Sequence, residues 1–295
     1  MTGEFELVEP EAADSPGDEW EEIDVEDTEA DRIARKRDRE FNEFRERIKN
    51  TERFKLEESV FDEATYAAIY KLVQDGHIDA FGGPISTGKE ANVYTAKSGD
   101  HAVAVKVYRI NASEFKDMRG YLDGDPRFEG IGQDKRKVVM AWVRKEFANL
   151  KRAQKAGVRV PNPIAVERNV LVMEYIATDG DRAKRLNEVH IENPETAYEV
   201  VREYMCRLYD AGLVHGDLSE YNIVFHDGQL VIIDLGQAVT KHHPNAGDFL
   251  QRDCENVAAF FARQGMDVTG EQLYDFVKDD ADRTAEDAER TEDEP

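Results

Sequence analysis

Cysteine is nearly missing from this 295-residue chain: Cys206 and Cys254 are its only two. Two thiols in helix-like apolar surroundings cannot build a disulfide framework or a zinc site, and they read as ordinary buried side chains. Long apolar runs are missing as well. No stretch approaches the ~18–20 residues of a membrane span, and Met1-Thr2-Gly3-Glu4 lacks the basic-then-apolar order of a signal peptide, so a cytoplasmic protein with no membrane partner is expected. Basic charge is scarce: 39 Lys and Arg stand against 63 Asp and Glu, for a net charge of −24. Self-repulsion on that scale destabilises a compact state in dilute buffer. At molar salt the Debye length falls to ~3 Å and the penalty largely disappears. The composition resembles that of proteins working in a salt-rich cytoplasm, although two acidic tails alone would also raise the count.

What is present supports a globular fold: 40% of the residues are hydrophobic, enough for one two-lobed domain or two small ones. Residues 1–27 are acidic, lack apolar periodicity and contain Pro10 and Pro16, which predicts disorder. From Thr28 to Lys49 the composition turns to dense mixed charge, readable as a solvated helix or as an Arg-rich arm for RNA. Ser59–Gln74 has the spacing of an amphipathic helix, with Ser59 as its expected cap and Gly76 past its end. Strands are expected at Ala91–Ala96 and Ala102–Val107, then a long polar loop from Asn111 to Gln133. A helix over Val138–Ala156, strands at Ile164–Glu167 and Val170–Glu174, and a helix over Pro194–Ala211 follow. Short strands at Ile223–Phe225 and Leu230–Ile233 precede helices at Ala246–Arg263 and Gly270–Lys278. Strands first and helices later is an α+β arrangement. The domain core is placed at 51–280, divided near residue 174 into two lobes, between a charged extension (1–50) and an acidic tail (281–295).

Chemistry concentrates in a few places. In Leu213-Val214-His215-Gly216-Asp217-Leu218-Ser219-Glu220-Tyr221-Asn222, an Asp precedes an Asn by five positions. The Asp is suited to take a proton from a hydroxyl or water, and the Asn to hold a metal. Asp234, after a strand pair, offers the carboxylate that Mg²⁺ needs beside nucleotide phosphates. Lys106 stands in the otherwise apolar run Ala104-Val105-Lys106-Val107, where its charge is costly without carboxylate and phosphate partners. Glu146, on an inward face of the helix over Val138–Ala156, is the expected partner, although Lys145 and Lys151 lie close by to compete for it. Between Gly82 and Tyr94 a glycine-rich stretch offers backbone amides and the side chains of Ser86, Thr87 and Lys89 to phosphate oxygens; a plain β-turn would also explain it. The backbone of Glu174 and Ile176, where two lobes would join, is placed to read an adenine edge.

With these pieces in order, the chain resembles the RIO family of atypical kinases, the first type rather than the winged-helix second type. The residues that carry the likeness are Ser86-Thr87-Gly88-Lys89-Glu90-Ala91-Asn92-Val93-Tyr94, His215 to Asn222, and Ile233-Asp234 with Gln237. His243-Pro244, Phe249-Leu250, Arg252-Asp253 and Asn256 extend it, over roughly residues 55–275. The resemblance implies a two-lobed protein-kinase-like fold without activation loop or peptide-docking helices. It implies ATP with Mg²⁺ (Mn²⁺ as an alternative ion), serine autophosphorylation and ATPase activity. It also implies a partner, the maturing small ribosomal subunit and its rRNA. By position, Asp217 would be the proton acceptor, Asn222 and Asp234 the metal ligands, Asp234 also the phosphoryl acceptor, and Lys106 the phosphate contact. Residues 111–133 would be the family's flexible loop. Basic clusters at Lys135-Arg136-Lys137, Arg144-Lys145 and Lys151-Arg152 would face rRNA phosphates, or would simply be a solvated helix face. A small-molecule phosphotransferase sharing His-Gly-Asp, and a non-catalytic assembly scaffold, are the alternatives.

Overall fold

The computed structural model describes residues 61–110, 115–123, 125, 128, 134–178 and 180–279, with a short helical piece at 36 and 38–43. Residues 1–42 and 43–295 separate into two units. The expectations for 1–27, for most of the mixed-charge segment and for the tail fall outside the described residues.

Helix α1 (Glu63–Gln74) is capped by Asp62, not Ser59: the Asp62 carboxylate accepts from Thr65 N–H at 2.8 Å and from the Thr65 hydroxyl at 2.7 Å. That satisfies one of the orphan amides of the first turn. Gly76, at φ 76°, turns the chain out of the helix as expected. Five antiparallel strands follow: β1 (Ala80–Thr87), β2 (Ala91–Ser98), β3 (His101–Tyr108), β4 (Pro163–Glu167) and β5 (Val170–Glu174), in the order β1-β2-β3-β5-β4. The centre of this sheet is β3, which puts Lys106 opposite Val93 on one side and Leu171 on the other.

Two helices lie between β3 and β4. Helix α2 (Phe115–Leu122) occupies part of the stretch expected to be a loop, with Met118 and Leu122 buried. Its polar sequence hides it: only the side facing the next helix needs apolar residues. Helix α3 (Lys135–Lys155), capped by Asp134, begins three residues earlier than expected. It packs on β4 and β5, and it shares one apolar core with the second lobe through Trp142, Leu150, Met205 and Phe261.

The second lobe begins with short strands β6 (Ala177–Thr178), β7 (Asp181–Arg182) and β8 (Lys184–Arg185). Helix α4 (Pro194–Asp210) follows, opened by Asn193 with Pro in its first turn. Strand β9 (Leu213–Val214) leads into the Asp217 loop, and β10 (Ile223–His226) and β11 (Gln229–Ile232) form a hairpin that ends before Asp234. Strand β12 (Val239–Thr240) pairs back on β9, which closes the Asp217 and Asp234 loops against each other. Helix α5 (Ala246–Arg263) and helix α6 (270–279) complete the lobe, as the periodicity predicts. Both cysteines are buried and free.

Candidate active site

Lys106 binds two carboxylates at once. Its Nζ lies 2.8 Å from Glu146 Oε1 and 2.8 Å from Asp234 Oδ1. The Lys106 and Glu146 side chains are 10% and 1% exposed, whereas Asp234 is 52% exposed and opens toward the cleft. Burial works against the ammonium, but Asp234 and then Glu146 outweigh it, so the pKa of Lys106 rises well above the ordinary lysine value. The Lys106 charge, working against burial, holds the Asp234 carboxyl below its usual range. Tyr108, two residues along β3 on the same face, donates its hydroxyl to Glu146 Oε2. Burial, with Glu146 next, pushes the Tyr108 phenol well above its normal pKa, so it remains a neutral donor.

Asp234 itself is held at φ 63°. A non-glycine residue in the left-handed region costs of order 1–3 kcal/mol and persists where its surroundings over-determine it. Helix α3 supplies those surroundings. Lys145, fully buried, donates from Nζ to Gly236 O at 2.9 Å, and Asn149 Nδ2 donates to Leu235 O and Ala238 O at 3.2 and 2.8 Å. Gly236 is tightly packed: a Cβ there would sit 3.1 Å from Trp142 Nε1 and 3.2 Å from the Tyr108 hydroxyl, so those side chains would have to give way. Consecutive α3 residues, Lys145 and Glu146, thus hold the Asp234 loop and Lys106. The first is a correction, because the sequence places Lys145 in a solvent-facing basic cluster.

The Asp217 loop hangs from α5. Asp253, 1% exposed, accepts at 2.7 Å from both Gly216 N–H and Leu218 N–H, the amides on either side of Asp217. Arg252 donates to Gly216 O, and Asn256 Nδ2 to Leu218 O at 3.2 Å. His215 accepts from Asp217 N–H through Nδ1 and so presents Nε2–H to Ile233 O, at 3.3 and 3.1 Å; these bonds assign its tautomer and tie the two loops together. Asn222 Nδ2 donates to Asp217 O at 2.8 Å and to Asp217 Oδ2 at 3.3 Å. Its Nδ2 is thereby spent on Asp217, which leaves Oδ1 for the cleft. Burial raises the pKa of Asp217, and the negative charge of Asp234 adds to the effect while His215 and Arg252 oppose it.

One cleft between the lobes is lined by Ser86, Lys106, Glu146, Glu174, Ile176, Asn222 and Asp234. Its apolar walls are Ile85, Val93, Ala104 and Met173 from the first lobe and Val224 and Ile233 from the second. Asp217 does not line the cleft itself but is bonded to Asn222, which does. Thr87 and Lys89 are exposed at the β1–β2 turn and do not line it. The Glu174 side chain points to a bidentate pair with Arg159, at 2.6 and 2.9 Å. The Ile176 carbonyl accepts from Ala183 N–H at 2.9 Å, which leaves the Ile176 amide for the cleft. Gly82 has a steric reason distinct from any phosphate: a Cβ there would lie 2.2 Å from Thr95 Oγ1 across β1 and β2. Sequence reasoning missed Tyr108, Lys145, Asn149 and the structural role of Asp253. The i,i+2 relation of Tyr108 to Lys106 was the available signal for the first.

The cleft pairs a buried cation with a carboxylate at its mouth and sets a loop carboxylate of raised basicity beside an amide oxygen: a phosphoryl-transfer geometry. A model of the RIO domain matches residues 92–273. A Haloferax volcanii protein named RIO-type serine/threonine-protein kinase Rio1 is 72% identical over 281 residues, covering 95% of this chain and 97% of that protein. Its namesake from Methanocaldococcus jannaschii is 38% identical over 241 residues, 80% of this chain and 83% of that one. Among solved structures, the Rio2 kinase–ADP/Mg²⁺–phosphoaspartate complex from Chaetomium thermophilum aligns with a TM-score of 0.55 at 23% identity, over 72% of this chain and 65% of that one, a likeness of fold. The chain therefore belongs to the RIO family of atypical serine/threonine-protein kinases.

Proposed function

We propose that this kinase uses ATP with Mg²⁺, or Mn²⁺ in its stead, to phosphorylate serine, itself included, and that it hydrolyses ATP to time its departure from a maturing small ribosomal subunit in the cytoplasm. The observation that carries the reading is Lys106, held at 2.8 Å by both Glu146 and Asp234 in the cleft that Asn222 also lines.

The donor set fits the metal. Among the described residues no three His, Cys, Asp or Glu side chains cluster to hold an ion by themselves. Asn222 Oδ1 and Asp234 Oδ2 are two oxygen donors, and Mg²⁺ characteristically takes the rest of its shell from phosphates and water. When bound, Mg²⁺·ATP supplies the phosphoryl group and neutralises charge on it. The apolar walls would hold a planar base, with the Ile176 amide available to its edge. Lys106, kept charged by its carboxylates, would contact the phosphates. Asp217 accepts the proton of the attacking hydroxyl; burial makes it a better base than a free carboxylate. Asp234 Oδ2, ionised because Lys106 lowers its pKa, is the oxygen available for phosphoryl acceptance.

The test is co-sedimentation with precursor small subunits in ATP, in a non-hydrolysable analogue, and with Asp217→Ala protein. Retention by the analogue and the variant, with release in ATP, supports a timing ATPase. Release that ignores nucleotide and variant alike removes the ribosomal part of the reading.

A further inference from the structure

The two sides of α3 differ completely. One side is buried and carries Lys145, Glu146 and Asn149. The other carries five exposed cations, Lys137, Arg144, Lys151, Arg152 and Lys155, and no exposed acid, because Glu146 is the only acidic residue of the helix. With 63 acidic residues against 39 basic ones in the chain, composition alone would not produce such a face. Lys137, Arg144, Lys151 and Lys155 fall on one line at helical spacing, ~10 Å apart for each seven residues and spanning about 27 Å; Arg152 flanks the line. Glu146 lies on the opposite side of the helix.

Ion pairing does not account for the stripe, although Lys151 Nζ packs over the Phe147 ring, 4.3 Å from its centroid. None of these five cations forms an ion pair with a described residue. Arg152 and Lys155 suit the negative end of the helix dipole, but Lys137 stands in a first turn that has no acid, where a cation disfavours the helix. At its C-terminal end the stripe runs into a concavity of about 400 Å³ between the ends of α3 and α4, lined by Arg152 and Lys155 with one acid, Asp210, and by Arg207, which Glu203 pairs at 2.7 Å. The large hydrophobics exposed among the described residues are Tyr221 and Phe225, in the other lobe. Phe147, on the same helix, is half-buried and covered by Lys151, so the stripe has charge for phosphates but no open ring for unpaired bases to stack on.

We propose that the solvent face of α3, from Lys137 to the Arg207 concavity, docks the phosphodiester backbone of a helical RNA segment. Paired bases and evenly spaced phosphates are what a base-blind row of cations reads. The docked RNA would lie on the side of α3 away from Glu146 and Lys106, so the cleft remains open to nucleotide. The inference deepens the ribosomal reading by giving it a surface.

The experiment is fluorescence anisotropy with a short RNA duplex, titrated with KCl upward from the lowest concentration at which the chain stays folded. Wild type is compared with the triple variant Lys137→Gln, Arg144→Gln, Lys151→Gln and with a control, Lys97→Gln plus Lys278→Gln. Each phosphate contact contributes about 0.9 to the slope of log K against log salt on a duplex. The triple variant should lose about 2–3 units of slope and at least ~10-fold in affinity, with autophosphorylation unchanged; the control should keep both. An unchanged slope in the triple variant, or no duplex binding by wild type at any salt, overturns the proposal. Running the triple variant in the precursor-subunit sedimentation separates the two claims. If wild type and variant co-sediment alike, the surface is wrong and the ribosomal reading stands; if neither does, the ribosomal reading falls.

Discussion

Lys106 and Glu146 should respond to substitution unequally, because their remaining partners differ. Replacing Lys106 with Met leaves the Glu146 carboxylate 1% exposed, with the Tyr108 hydroxyl as its recorded donor. Removing one partner of a buried ion pair costs about 3–5 kcal/mol. Replacing Glu146 with Gln is milder: an amide oxygen can still accept from Lys106, and Lys106 keeps Asp234 at 2.8 Å. That loss should be about 1–2 kcal/mol, near the contribution of a hydrogen bond to a charged group. In the double variant no buried charge is left, so its cost should fall short of the sum by about 2 kcal/mol. Molar salt will not erase the coupling, since the pair is shielded from solvent. Urea unfolding of the four proteins at constant KCl measures the cycle. Lys106→Met costing no more than Glu146→Gln, or additivity within about 0.5 kcal/mol, would refute a buried charge pair between Lys106 and Glu146.

Asp217→Ala should slow phosphoryl transfer by ~10²–10⁴-fold, the range for a positioned base, while nucleotide affinity measured by calorimetry survives. Because burial raises the Asp217 pKa, and the base must be ionised to act, wild-type kcat/KM should fall on the acid side with a midpoint above the ordinary carboxylate value; a midpoint at or below that value contradicts the buried position. Asp234→Ala should abolish the metal-dependent part of nucleotide affinity, so that calorimetric isotherms with and without Mg²⁺ coincide. Burial raises Asp253 to about 6 against the pull of two amides, so its contribution to stability is present below pH ~4 and is lost as pH climbs through 6. Asp253→Asn should remove that loss, at most about 3 kcal/mol for a two-unit shift. Unfolding curves of wild type and variant that stay parallel from pH 4 to 7 would show that Asp253 does not titrate in this way.

The sequence exposes the parts of the site that violate its own patterns. A lysine in the apolar run around Val105 and a glutamate among Phe147 and Leu150 were conspicuous because each contradicted its surroundings, and the structure joins them. The His215–Asn222 run was legible from spacing. Helix α2 was not, since its polar sequence is indistinguishable from a loop until Met118 and Leu122 meet α3. The cap of α1 moved from Ser59 to Asp62 because an Asx side chain three residues before Thr65 satisfies that amide directly. Lys145 was misplaced for a different reason. It was read with its neighbour Arg144 as a charge cluster, although adjacent helical residues diverge by about 100°. Its partners by period are Val138, Trp142 and Asn149, all buried.

That periodic reading also explains how one helix can serve a kinase site and present a basic surface without conflict. Glu146 and Lys137 are nine residues apart, close to two and a half turns, so they face opposite ways. Substitutions on the stripe therefore change the charge that solvent meets and leave untouched the residues that hold Lys106 and the Asp234 loop. The buried side is constrained more tightly: Glu146 must reach a strand of the first lobe while Lys145 and Asn149 grip a loop of the second. A helix bonded to both lobes cannot swing away from the first without breaking the Lys106–Glu146 pair, nor from the second without leaving the Gly236 and Ala238 carbonyls unpaired, at about 1–3 kcal/mol each.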